Sequence, residues 1–307
     1  MISKAPKISI IGAGRVGSTV AFSLLMKGLA SELVLVDYNR NAADGDALDL
    51  LHASSFAHPM VIRGGDYPDT AGSDIVIICA SIPAKDIKSR LDLCQGNTDL
   101  FKQIIPKIAA ASPQAILIII TNPLDVMTYA ALKISNFPAN RVIGTGTMID
   151  SGRFRALLSD AAKINPDEIH AYILGEHGDS QFPVFSLANV GGVKFKERSK
   201  VKIDDLFQQT QQGGYLVMQK KGFTNYGIAL ATATIVECIV KDERKIYPVS
   251  TLVNNNYGVA DLCISVPCVI GREGVGRIIE LELSAEEQKA FQGSAKVLQE
   301  ITTSLKF

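Results

Sequence analysis

The chain of 307 residues sets 31 Lys and Arg against 31 Asp and Glu, and 47% of it is hydrophobic with 7% aromatic. That is enough apolar chain for a sizeable core in one large or two medium domains. Zero net charge gives no electrostatic reason to expect a nucleic acid or an anionic membrane as partner. The opening residues Met1 to Lys7 lack a signal peptide's apolar run and cleavage site, and the longest apolar stretch, Ala115 to Ile120, is too short to span a bilayer. Five cysteines (Cys79, Cys94, Cys238, Cys263, Cys268) include no Cys-x-x-Cys pair. They read as free thiols in a reducing compartment, so a soluble cytoplasmic protein without a metal is expected. Any imidazole acid or base must be His52, His58, His170 or His177.

In chain order, Lys7 to Ile11 reads as a strand, Val16 to Lys27 as a helix and Glu32 to Asp37 as a second strand. Ala42 to Ala53 is helical in pattern, Met60 to Arg63 a short strand and Asp74 to Cys79 another. A loop over Ser81 to Leu93, a helix from Asn97 to Ala111 and a strand from Ala115 to Ile120 follow. Continuous Ile/Val runs of this kind suit strands buried on both faces of a parallel sheet. Their alternation with helices predicts an α/β, doubly wound Rossmann fold over residues 1–144. Thr145-Gly146-Thr147 marks the expected change to an α+β substrate domain over 145–307. That half reads as a helix from about Met148 to Ala162 and a Gly-rich strand region near Val184 to Val193. A helical zone from Asp204 to Asp242 breaks near Gly222, strands fill Ile246 to Val269, and a last helix runs to Leu305. Ser284 with Glu287 three residues on is a capping box for that helix.

Gly12-Ala13-Gly14-Arg15-Val16-Gly17 is G-x-G-x-x-G placed directly between a strand and a helix, the setting in which it binds a dinucleotide. Gly12 permits the tight turn, Gly14 lets a pyrophosphate approach backbone N–H groups, and Gly17 allows the helix to pack on the strand. The helix N-terminus offers its partial positive charge to the phosphates, with Arg15 and Val16 beside them. Asp37 ends the second strand, 20 residues beyond Gly17. A carboxylate there accepts both ribose hydroxyls and repels a 2′-phosphate, so NAD is favoured over NADP.

Further on, Asp150 and Arg153 stand at i and i+3 of a helix and so share a face, from which Arg155 is turned away. His177 lies in Leu174-Gly175-Glu176-His177-Gly178-Asp179-Ser180, a loop between glycines just after an apolar strand. Such a setting suits catalysis better than core packing. His52 and His58 have no comparable surroundings.

These motifs resemble the L-lactate/L-malate dehydrogenase family. The resemblance is carried by G-A-G-x-V-G, by Thr-Asn-Pro-Leu-Asp at 121–125, by G-T-G-T-x-x-D-S-x-R at 144–153 and by G-E-H-G-D-S at 175–180. It continues in Lys221-Gly222-Phe223-Thr224 and through Val266-Pro267 to Val275, and so covers essentially the whole chain. It implies an NAD-dependent oxidoreductase, most like L-lactate dehydrogenase, that acts on a 2-oxo or 2-hydroxy acid as a homo-oligomer, a tetramer or dimer. His177 would be the proton donor to the 2-oxo acid. Asp150 would hold its other ring nitrogen, and Arg153 would grip the substrate carboxylate through two parallel N–H···O bonds. Asn122 would sit near the nicotinamide ribose and the substrate oxygen, with Thr224 lining the substrate side. Arg90, on the loop after the Asp74–Cys79 strand, would close over the substrate and polarise its carbonyl.

In the family, substrate choice is set largely six residues before the loop arginine, with Gln in lactate enzymes and Arg in malate enzymes. Here that position is Ala84. A second substrate carboxylate would be uncompensated in a closed site, which disfavours malate. The small side chain suits pyruvate or a longer apolar 2-oxo acid. The chain also resembles L-2-hydroxyisocaproate dehydrogenases in G-E-H-G-x-S-Q-F at 175–182 and K-G-x-T-x-Y-G at 221–227. A non-catalytic NAD-binding scaffold would be expected to have lost His177, Asp150, Arg153 or Arg90, and all four are present. Arg155 and His170 match a pair that in bacterial lactate dehydrogenases forms an inter-subunit site for fructose 1,6-bisphosphate. The same pair also occurs in enzymes that the sugar phosphate does not activate.

Overall fold

A computed structural model describes residues 5–83, 89–195 and 203–306 of the chain. The first half alternates β1 (Lys7–Ile11), α1 (Arg15–Lys27), β2 (Glu32–Val36), α2 (Arg40–Ser54), β3 (Val61–Gly65) and β4 (Ile75–Ile78). Then come α3 (Arg90–Ala111), β5 (Ile116–Ile119), α4 (Leu124–Ser135) and β6 (Val142–Gly144). The strands lie parallel in the order β3-β2-β1-β4-β5-β6. Side chains of a strand alternate between sheet faces, and both faces here are covered. Ile8, Ile10, Leu33, Leu35, Ile75 and Ile77 enter one apolar cluster. Their neighbours Ile11, Val34, Val36, Val76 and Ile78 enter another on the opposite face. This is why the strands read as continuous Ile/Val runs. The strand order reverses between β1 and β4, which opens a crevice at their carboxyl ends, where ligands of such sheets bind.

The second half begins with α5 (Met148–Ala162) and the short strands β7 (Ile169–His170), β8 (Ile173–Leu174), β9 (Phe182–Pro183), β10 (Asn189–Val190) and β11 (Val193–Lys194). Helices α6 (Ile203–Lys221) and α7 (Tyr226–Lys241) follow, with Gly222 at φ +85° ending the first. The chain finishes with β12 (Lys245–Asn256), β13 (Val259–Gly271), β14 (Gly274–Ile278) and α8 (Ala285–Ser304). Strands β12 to β14 run antiparallel and extend the first-half sheet to nine strands among the described residues, Ser250 of β12 pairing with Gly144 of β6. The sheet therefore runs on through the segment where the sequence suggested a change. Gly146, at φ +58°, makes the exit from it, and a Cβ there would lie 2.6 Å from the Ser250 nitrogen. The predicted capping box forms, Ser284 Oγ accepting from the Glu287 N–H and Glu287 Oε2 from the Ser284 N–H.

Several elements differ from the sequence reading. Helix α3 begins at Arg90, well before Asn97, because the Ser89 hydroxyl accepts the Asp92 N–H and caps it there. Helix α4 and strands β6 and β14 had no pattern of their own to announce them.

Candidate active site

The glycines after β1 form a turn whose tolerance differs from residue to residue. Gly12 has φ +94°, and a Cβ on it would lie 2.5 Å from the Ala80 backbone nitrogen. A Cβ on Gly17 would meet the Gly12 carbonyl oxygen at 2.0 Å, so helix and turn touch only because residue 17 is glycine. Gly14 faces open space, with nothing within 4 Å of where a Cβ would stand. Packing does not demand a glycine at that position, and the open space leaves room for a pyrophosphate to approach. No side chain caps α1 at Gly14, which leaves its first-turn N–H groups facing the crevice for an anion. Asp37 is half-buried at the end of β2 and accepts the Asn39 N–H at 2.9 Å. These residues fit a dinucleotide with a free ribose diol. The Arg15 guanidinium rests 4.3 Å over the Phe223 ring, while Thr19 of α1 accepts from Asn225 Nδ2 at 2.9 Å. The turn between α6 and α7 is thereby fastened to the glycine-rich segment.

A cavity of about 410 Å³ opens beyond this turn, lined by Val16, Asn122, Arg153, His177 and Thr224 among others. Helix α5 supplies two of its charges. Asp150, 1% exposed, accepts from Arg153 Nη1 at 2.7 Å through Oδ1, and its Oδ2 lies 2.6 Å from His177 Nδ1. An ionised carboxylate only accepts, so Nδ1 carries a proton and Nε2 is left for the cavity. Burial alone would raise the Asp150 carboxyl, but the His177 imidazole and the Arg153 guanidinium hold it below its ordinary value. Burial would likewise lower His177, yet the Asp150 carboxylate outweighs it and keeps the imidazole above its ordinary value. Gly213 and Gly214, inside α6, make room for Arg153: a Cβ on Gly213 would press on Arg153 Cδ at 3.3 Å.

The structure thus brings Asn122, Asp150, Arg153, His177 and Thr224 together at the end of the glycine-rich crevice. Ala84 and the side chain of Arg90 lie outside the described residues. Arg155 is half-buried on α5, His170 is exposed on β7, and neither lines the cavity. Sequence reasoning missed three features of the site. One is Asp125, whose Oδ2 accepts the His177 backbone N–H at 2.7 Å. Another is Lys221, which lines the cavity, donates to Asn225 Oδ1 and stacks 3.7 Å over Tyr226. The third is the Gly213-Gly214 pair, whose signal was two glycines within a helix without a bend to explain them.

The family described as lactate/malate dehydrogenase matches the chain twice, its NAD binding domain over residues 6–144 and its alpha/beta C-terminal domain over 147–307. The L-lactate dehydrogenase 1 of Clostridium acetobutylicum is 44% identical over 312 aligned positions, which cover 99% of this chain and 100% of that one. An L-lactate dehydrogenase of Thermoanaerobacter sp. is 43% identical, with 97% and 99% covered. Among solved structures, the minor L-lactate dehydrogenase of Enterococcus mundtii in a ligand-bound form superposes with a TM-score of 0.95 at 32% identity, covering 99% of both chains. A lactate dehydrogenase from a Medee basin deep-sea metagenome library gives the same TM-score at 33% identity over 98% of each chain. With both halves matched and these likenesses running end to end, the chain belongs to the lactate/malate dehydrogenase family.

Proposed function

We propose that the protein is an NAD-dependent L-2-hydroxyacid dehydrogenase, most like L-lactate dehydrogenase, that interconverts a short apolar 2-oxo acid and its L-2-hydroxy acid. The observation that carries this reading is one buried carboxylate, Asp150, shared by His177 and Arg153 at the end of a dinucleotide crevice. Gly12, Gly14, Arg15, Val16, Gly17 and Asp37 would hold the cofactor, with Asn122 at its nicotinamide end. Bound NAD supplies the hydride chemistry between its nicotinamide and substrate C2. His177, charged in its raised state, donates a proton from Nε2 to the substrate oxygen during reduction and takes it back during oxidation. Arg153 gives one N–H to Asp150 and keeps the others for the substrate carboxylate. Thr224 bounds the substrate side, and Arg90 polarises the carbonyl.

Malate is disfavoured by Ala84, and the cavity's further cation, Lys221, is already engaged by Asn225 and two aromatic rings. Steady-state reduction of pyruvate, 2-oxoisocaproate and oxaloacetate with NADH tests the reading. Either of the first two should have the highest kcat/KM, and His177→Asn should bind NADH while losing turnover. Oxaloacetate as best substrate would overturn the apolar assignment, and inactivity towards all three would leave an NAD-binding scaffold. A reducing, cytoplasmic location suits the free thiols, and no helix among the described residues is long and apolar enough to cross a membrane. Exposed Phe22 and Met26 on α1 with Leu48 and Leu51 on α2 support a homo-oligomer. Sedimentation and kinetics with and without fructose 1,6-bisphosphate test that assembly and an anion site at Arg155 and His170 together.

A further inference from the structure

Asp125 stands in the first turn of α4, three residues after Asn122, and is 2% exposed. Its Oδ2 accepts the His177 backbone N–H at 2.7 Å, and its Oδ1 accepts the Ser265 hydroxyl at 3.3 Å. Ser265, fully buried on β13, also accepts the Thr147 N–H at 3.1 Å. Its backbone exchanges two hydrogen bonds with Gly175, at 3.2 and 3.1 Å. Thr147 immediately precedes the helix that carries Asp150 and Arg153, and Gly175 lies two residues before His177. One carboxylate and one serine therefore join three segments distant in sequence, each of which bears a member of the site. A carboxylate buried so deeply is unfavourable unless its oxygens are bonded. Both of these bonds go to segments that carry or frame the proton donor.

We propose that Asp125 and Ser265 are positioning residues for proton transfer at His177, holding its loop in register with Asp150 and placing a second negative charge behind the imidazole. The proposal rests on the reading of His177 as proton donor given above. Facing the imidazole are Asp150 and Arg153 from α5 and Asp125 from α4, with Glu176 next to it on its own loop. Cys263 of β13 lies near Asp125, but burial keeps its thiol far above the usual range and so neutral. The Asp150 charge is shared with Arg153, whereas Asp125 has no Lys or Arg salt-bridge partner among the described residues. Burial holds the Asp125 carboxyl above its ordinary value, opposed by the Ser250 hydroxyl, then by the hydrogen bond from the His177 N–H and by the nearby imidazole. Both carboxyl oxygens accept in this arrangement, as the ionised form does.

The test is a titration of the full-length protein labelled with ¹³C-histidine, in which the His177 signal is the one lost in His177→Asn. In Asp125→Asn the His177 midpoint should fall by roughly half a pH unit or more. The pH limit of 2-oxo acid reduction should move with it, and kcat should drop about tenfold while the Kd for NADH stays within about twofold. Ser265→Ala keeps the charge, so kcat should fall several-fold with a smaller shift of the midpoint. Wild-type midpoint and kcat in both variants, with only thermal stability lowered, would overturn the proposal. If Asp125→Asn does not fold, an unchanged kcat and pH profile in Ser265→Ala overturns it alone. A wild-type protein that reduces no 2-oxo acid would sink the proposed function instead, and the histidine titration would still report on Asp125.

Discussion

Asp150 divides its two oxygens between Arg153 and His177, and that division sets the direction of every charge effect at the site. Because the His177 value is raised, its proton persists above the ordinary 6.5, and reduction should fade only as pH rises through the folded value. In Asp150→Asn that limit should move to lower pH, and kcat should fall by about 100-fold or more, as pH–rate profiles would read. The linkage to stability has the same sign: the contribution of His177 is complete below 6.5 and lost as pH rises through its folded value. That of Asp150, whose value is lowered, is present above 3.8 and lost as pH falls through its folded value. His177 was legible in the sequence because its setting is local, a histidine between two glycines after a strand. Asp125 was not: it sat in a quoted motif, yet its partners His177 and Ser265 lie 52 and 140 residues away, and no periodicity reports such a contact.

At the scale of elements, α1 and α7 are joined by more than apolar packing. Glu237 of α7 bonds Lys27 of α1 at 2.5 Å and Lys241 of its own helix at 2.6 Å, and these lysines push its carboxyl down to about 2. A lowered carboxyl adds stability above 4.5 and loses it as pH falls through about 2. Glu237→Gln should therefore cost about 1 kcal/mol at neutral pH, less in high salt, and converge on wild type in acid. Urea unfolding at several pH values measures it. Buried parallel strands and the Ser284 capping box were readable because local composition and spacing decide them. Helix α4 was not, since nine of its twelve residues are buried and a helix wrapped by the core loses its polar stripe. The early start of α3 depended on one serine, Ser89, within a stretch whose turn residues suggested a loop.

For the molecule as a whole, the glycine-rich turn and Asp37 follow the adjacent parallel strands β1 and β2 beside the reversal of strand order, and Val16 next to that turn lines the same cavity as Asn122, Arg153 and His177. A cofactor that binds only the folded protein stabilises it, by about 2.7 kcal/mol at 100 times its Kd. NADH should thus raise Tm by several degrees, NADPH should do so less, and Asp37→Ser should narrow the difference. Equal shifts with both cofactors in the wild-type protein would remove Asp37 as the discriminating group.

The sequence by itself determined the α/β class and the dinucleotide turn, and it singled out His177 for its setting, because each depends on residues close together in the chain. Charge balance and four histidines also narrowed the chemistry before any contact was known. Only the tertiary structure decided that β12 to β14 extend the first sheet, and that one carboxylate serves both Arg153 and His177. It also decided that Asp125 and Ser265 tie the histidine loop to two other segments. Those facts are set by contacts across tens to hundreds of residues, which form when the buried faces of the sheet and helices come together.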